Sequence, residues 1–296
     1  MAKKATTILV FAAALATAAA EGEKTLESIL NTSFPEEAAI ANESRPVETT
    51  NLTNAFYLQL AIVADGYLYA DALRVCHGND TRARLTIRQH VEQAVRHARK
   101  MLLHYTLVPQ VHLHVVNLSI WKEQPEHLKR ENLTYGVSLL GSTTPLLFRM
   151  NAHLEAQHEN FDAFAVFSSM TFDENMTGGK GMIGMANFFI HMGACSARAG
   201  SYVKQRVEEC GPPRYRGEWE GFVLAHELGH LLGMLHDDES PRCPPGRVMD
   251  NNGGHPEAEW SACSREQLQE FLHAMDVWGV NCLRQPPNGT TIFEGV

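Results

Sequence analysis

The sequence carries no basic surplus: 25 Lys and Arg stand against 34 Asp and Glu, a net charge of -9. An acidic chain without a basic stripe has little to offer a polyanion, which excludes nucleic acid as the expected partner. Past residue 20 there is no apolar run long enough to cross a bilayer, so no membrane anchor is expected. No segment recurs at a fixed period, which excludes solenoids and propellers. Cysteine is absent before Cys76, and residues 21–52 contain no dibasic pair that a processing protease would cut.

What is present suits a secreted globular domain. A chain of 296 residues, 44% of them hydrophobic, can bury one substantial core. Lys3 and Lys4, an apolar run from Ile8 through the alanines, and small residues at Ala18 and Ala20 read as a signal peptide over residues 1–20. Its removal takes away two lysines and brings the net charge from -9 to -11. Residues 21–52, rich in Glu, Thr and Asn, are expected to form a short, disordered acidic leader. The folded domain is expected over 53–296. Its six cysteines, an even number behind a signal peptide, imply three disulfides, for which fifteen connectivities exist. Asn-x-Ser/Thr acceptor sites at Asn31, Asn42, Asn51, Asn79, Asn117, Asn132, Asn175 and Asn288 fit a glycosylated surface.

Periodicity places the elements. Ala55–Ala64 reads as a buried strand stopped by Asp65-Gly66. Leu85, Ile87, Val91, Ala94, Val95, Ala98, Met101 and Leu102 recur at helical spacing, and Val111–Ile120 alternates as a strand. Phe161–Phe167 and Met185–Ile190 are further extended stretches. Glu218–Leu232 predicts a helix that Gly233 can stop, and a last helix is expected after Ser264, where Ser-Arg-Glu-Gln forms a capping box. Gly179–Gly184 matches a dinucleotide pattern by letter, but an extended stretch follows it instead of a helix, so nucleotide binding is rejected.

The chemistry is concentrated in His226-Glu227-Leu228-Gly229-His230, followed by Gly233 and His236. On a helix, residues four apart share a face, so His226 and His230 can aim at one ion. Glu227 is offset from them and placed to act on a bound water. Gly233 breaks the helix and lets His236 return as a third ligand, leaving a fourth position open, as catalytic zinc requires. With equal residue frequencies, the three letters of the short motif occur by chance in roughly one such chain in thirty, and five letters in about one in ten thousand. The longer string is therefore not read as coincidence.

This string, with Asp237 after the third His, resembles the adamalysin (reprolysin) branch of the metzincin peptidases. Arg247-Val248-Met249-Asp250 lies where that clan has its Met-turn, and Trp260 to Glu266 with Cys282-Leu283 resembles the end of ADAMTS catalytic domains. The resemblance spans about Ala55 to Pro287. It implies an α+β metzincin (zincin-like) fold: a twisted mixed β-sheet with helices, an upper subdomain to about residue 236, and a small disulfide-bonded lower subdomain from about 237. It implies one catalytic Zn2+ on His226, His230 and His236, Glu227 as general base, and Met249 packed beneath the ligands. It implies an edge strand, Gly184, Met185, Ala186 and Asn187, that pairs an extended substrate, and the bridges Cys195–Cys282 and Cys243–Cys263, which leaves Cys76–Cys210. A structural Ca2+ in this family uses positions that here are Gln59, Asp162, the Cys282 carbonyl and Gln285. Two charged ligands have become amides where calcium prefers carboxylates, so at most a weak calcium site is implied at Asp162, Gln59 and Gln285.

The function implied is secreted, zinc-dependent hydrolysis of peptide bonds in extracellular proteins by a monomer, with no nucleic-acid partner. A catalytically silent binding or toxin protein on the same fold is the rival, and the retained Glu227 argues against it. Relative to the family's usual architecture, a long propeptide and accessory modules are expected to be missing.

Overall fold

The computed structural model describes residues 55–129, 144–155, 161–170, 183–187, 193–196, 199–214, 217–237, 241–251, 254–287 and 292–293. The signal and leader regions assigned to 1–20 and 21–52 lie outside the described residues, as do His191 and most of the dinucleotide-like string. Among the described residues, no helix is long and apolar enough to cross a membrane.

Five strands, β1 (Phe56–Ala64), β2 (Val111–Ile120), β3 (Ala163–Ser168), β4 (Gly184–Ala186) and β5 (Gly200–Lys204), form one sheet in the order β2-β1-β3-β5-β4. All pairings are parallel except β4 with β5, so the sheet is mixed and β4 is an antiparallel edge strand. Two-residue alternation divides its side chains between two cores. Leu58, Leu60, Ile62, Ala165, Phe167 and Val203 enter the larger one. Ala61, Val63, Phe164, Val166 and Tyr202 enter the smaller one, with Leu147, Met150 and Leu154 of helix α3 (Thr144–Glu155). Both faces are covered, as a largely parallel sheet requires.

The larger core is closed by α1 (Gly66–Val75), α2 (Asp80–Leu102) and α4 (Glu218–Leu231). Helix α2 presents Ala83, Ile87, Val91, Ala94, Val95, Ala98 and Met101, one continuous stripe at spacings of three and four. Leu85, grouped with that stripe by sequence, is 53% exposed because it falls on the opposite side of the helix. Helix α5 (Ala262–Val277) also begins earlier than expected. Its N-cap is Ser261, which accepts from the Ser264 N–H at 2.9 Å, while Ser264 itself is buried inside the first turn.

Asp65-Gly66 does end β1, yet it also starts α1. Asp65 is the N-cap and accepts from the Leu68 N–H at 3.0 Å. The residue is 2% exposed, and burial raises its pKa from 3.8 to about 6, against the lowering effect of hydrogen bonds from Leu68, Ser168 and Tyr67. A carboxyl whose folded pKa is raised contributes most in its protonated form. Its contribution is full below pH 4 and declines as pH rises through 6, by about 3 kcal/mol. Asp65→Asn keeps the capping oxygen and cannot ionise. Urea unfolding at several pH values should show wild-type stability falling relative to this variant between pH 4 and 6.5, and a constant difference across that window would refute the assignment.

Candidate metal centre

Helix α4 delivers two imidazoles and ends in a turn that delivers the third. At its C-terminus the Gly233 N–H bonds to the His230 carbonyl (3.0 Å) and the Met234 N–H to the Gly229 carbonyl (2.9 Å), the paired bonds of a Schellman motif. Gly233 has φ of 84°, a conformation that favours glycine. The Met234 carbonyl that this turn exposes meets His230 Nδ1 at 2.8 Å. On the neighbouring segment the Val248 carbonyl meets His226 Nδ1 at 2.6 Å. A carbonyl can only accept, so both Nδ1 atoms carry their protons and both Nε2 lone pairs face inward.

The inward nitrogens converge. His226 Nε2 lies 3.3 Å and His230 Nε2 3.1 Å from His236 Nε2. Ligand nitrogens about 2.0–2.1 Å from a zinc ion, at tetrahedral angles, stand roughly 3.3 Å apart. The three atoms therefore fit one face of a zinc coordination tetrahedron, and inward-facing lone pairs at this separation are what a cation holds together. His230 is buried, and burial first, then His226 and His236, push its pKa well below the usual histidine range. It is a neutral donor, the form a metal ligand needs.

Glu227 sits beside this cluster, 5% exposed, with its acidity weakened by burial alone. Met249 is fully buried under α4. A Cβ at Gly229 would come 2.6 Å from Met249 Sδ and 3.2 Å from the Trp260 ring, so the helix rests on these two side chains between its two histidines. Trp260 Nε1 in turn donates to the Met101 carbonyl at 2.8 Å, tying this floor to α2. Asp237 follows the third histidine. Its N–H donates to the Met249 carbonyl at 2.8 Å, and its carboxylate accepts from the Ser261 hydroxyl at the start of α5.

The structure contains the disulfides Cys76–Cys210, Cys195–Cys282 and Cys243–Cys263. Asp237, Cys243 and Cys263 also cluster at ligand distance, but both sulfurs are spent on the bridge. Strand β4 runs past Glu227 at Gly184, Met185 and Ala186, and Asn187 donates its N–H to the Gly200 carbonyl at 3.0 Å, so the stretch continues the edge of the sheet. His255 is exposed. The residues that sequence alone does not reveal are partners of the cluster: the Val248 and Met234 carbonyls, and Ser261. Carbonyls leave no letter in a sequence, whereas Ser261 is hidden because the capping-box pattern at Ser264 puts the expected helix start three residues after the true N-cap.

The positions that the resemblance gives to calcium are hydrogen-bonded to one another in pairs. Asp162 Oδ2 accepts from the Gln59 N–H at 2.8 Å, and the Asp162 N–H bonds back to the Gln59 carbonyl. The Cys282 carbonyl accepts from the Gln285 N–H at 3.0 Å. One carboxylate engaged with backbone is a poor start for a shell of six to eight oxygens. Thermal unfolding in a calcium-selective chelator is expected to match unfolding in millimolar calcium to within about 1 °C. A saturable upward shift of several degrees would restore the site.

An α+β domain with three imidazoles converging beside a buried glutamate is of the metallopeptidase class. The chain belongs to metallo-peptidase family M12: the reprolysin profile of that family matches residues 58–256. It is 27% identical over 194 residues to "A disintegrin and metalloproteinase with thrombospondin motifs adt-1" of Caenorhabditis elegans, covering 62% of this chain. It is 27% identical over 252 residues to "A disintegrin and metalloproteinase with thrombospondin motifs 19" of Homo sapiens, covering 79%. The aligned regions are 12% and 18% of those relatives, so the chain spans only a small part of their length. Archaemetzincin from Methanopyrus kandleri aligns with a TM-score of 0.42 at 17% identity, over 73% of this chain and 96% of the other.

Proposed function

We propose that the protein is a secreted zinc metalloendopeptidase that cleaves peptide bonds in extracellular proteins. The observation that carries this reading is the convergence of His226, His230 and His236 Nε2 at 3.1 and 3.3 Å with their Nδ1 sides fixed on two of the three rings. These histidines would hold the ion. Zinc, when bound, supplies a Lewis acid that polarises a carbonyl and acidifies a water.

The chain's own residues supply the rest. Glu227, buried beside the cluster and not one of the three converging donors, accepts a proton from the attacking water and returns it to the departing amine. Burial makes it a stronger base than an exposed glutamate, which suits a group that must both take and give a proton. Among the described residues β4 is the last strand of the sheet, and such an edge strand suits an extended peptide added as a further strand. Met249 and Trp260 hold the helix at a fixed height, so the ligand set is preorganised. Three disulfides support an oxidising, extracellular setting.

The test is incubation of the purified full chain with a peptide library, alongside a zinc chelator and the Glu227→Ala variant. Cleavage that both controls remove supports the reading. Absence of cleavage by the zinc-loaded wild type would leave the silent binding protein.

A further inference from the structure

Glu227 Oε2 is buried and has no hydrogen-bond partner among the described residues. A carboxyl group without such a bond is held by what it packs against. Here that is the backbone of β4. A Cβ built on Gly184 overlaps Glu227 Oε1 and stands 2.9 Å from Glu227 Cδ and 2.6 Å from Val223 Cγ1. Gly184 is not among the glycines in the left-handed region, so the demand at this position is for space, not for an unusual backbone angle. It opens a strand paired with β5, opposite Val203, that is the last strand of the sheet among the described residues.

We propose that Gly184 is the positioning residue for the catalytic base: the bare Cα of the edge strand is the wall against which the Glu227 carboxyl is aligned. This rests on the reading of Glu227 as general base. The same strand edge is the one on which an extended substrate would dock. Docking and base alignment thus meet at a single residue, and a substrate that shifts the start of β4 shifts the wall behind the base. Any side chain at 184 moves the carboxyl away from its place while leaving untouched His226 and His230, whose rings are fixed by the Val248 and Met234 carbonyls.

The experiment compares zinc-loaded wild type, Gly184→Ala, Glu227→Asp and the double variant on one peptide substrate. Gly184→Ala is expected to lower kcat about ten- to a hundredfold with KM within about threefold, the penalty of a small misplacement of a reacting group. Zinc content and thermal midpoint should stay near wild type, which a merely structural defect would not allow. The losses from Gly184→Ala and Glu227→Asp should be markedly less than additive, since both act on the same carboxyl. If Gly184→Ala accumulates poorly, combining it with Val223→Ala makes room for the methyl group on the helix side, and the kcat loss must persist. An unchanged kcat in the folded variant, a loss confined to KM, or additive effects would overturn the proposal. Inactivity of the wild type sinks the peptidase reading instead. The crystal structure of zinc-loaded Gly184→Ala then decides the positioning role by itself: a displaced Glu227 carboxyl supports it and an unmoved one overturns it.

Discussion

Replacement of Glu227 by alanine is expected to reduce peptide hydrolysis by about two to four orders of magnitude, the usual contribution of a placed general base. The fold should not suffer. Glu227 lies in the middle of α4, where alanine is at least as good a helix former, and the side chain lost is a buried acid with an unsatisfied oxygen. His226 and His230 keep their orientation, because it comes from the Val248 and Met234 carbonyls, neither of which touches Glu227 through a hydrogen bond. Zinc stoichiometry should therefore match wild type. Glu227→Gln separates packing from proton transfer: it fills the same space against Gly184 yet cannot accept the proton, so it should be nearly as inactive as alanine. Turnover retained above a tenth of wild type by either variant, with zinc bound, would remove Glu227 from the mechanism.

Loss of the Cys76–Cys210 bridge is expected to be the largest single blow to stability. It closes a loop with a sequence separation of 134, against 87 for Cys195–Cys282 and 20 for Cys243–Cys263. In the chain-entropy description, opening the longest loop costs about 5 kcal/mol and the shortest about 3 kcal/mol. Domains of this kind are stable by only about 5–15 kcal/mol, so the first loss approaches the whole and the second does not. Its location adds to the effect. Cys76 is the C-cap of α1, and the bridge fastens α1 and α2 to the segment that leaves β5, with the Thr86 hydroxyl near both sulfurs and accepting from the Gly211 N–H at 2.9 Å. Urea unfolding of the paired alanine variants Cys76→Ala/Cys210→Ala and Cys243→Ala/Cys263→Ala gives the comparison. The ranking fails if the first pair turns out more stable than the second.

Much of this arrangement is legible in the residues themselves, for a reason of range. The elements with long, regular patterns are found where expected: β1, β2, α2 and α4 carry enough apolar positions for period to speak. Helix α1 is hidden because Asp65-Gly66 reads as a stop, and one side chain both ends a strand and caps a helix. Strand β5, Gly-Ser-Tyr-Val-Lys, is too short and mixed to show alternation, and its place is set by β3 and β4 on either side. The metal ligands are readable because they come from one helix turn and its return. What holds them is not, since the Val248 carbonyl belongs to the backbone and the contact between Gly184 and Glu227 joins distant parts of the chain.

Strand β1 is the first strand among the described residues, yet it lies inside the sheet, bordered by β2 on one side and β3 on the other. During vectorial synthesis its apolar residues emerge long before Ala163–Ser168 exists to cover their second edge. Parallel pairing across such separations is slow, because loop closure precedes any reward from contact. The nascent protein therefore carries an open, sticky strand until β3 has been made. Chaperones that mask extended hydrophobic segments should bear on its yield more than on its finished activity.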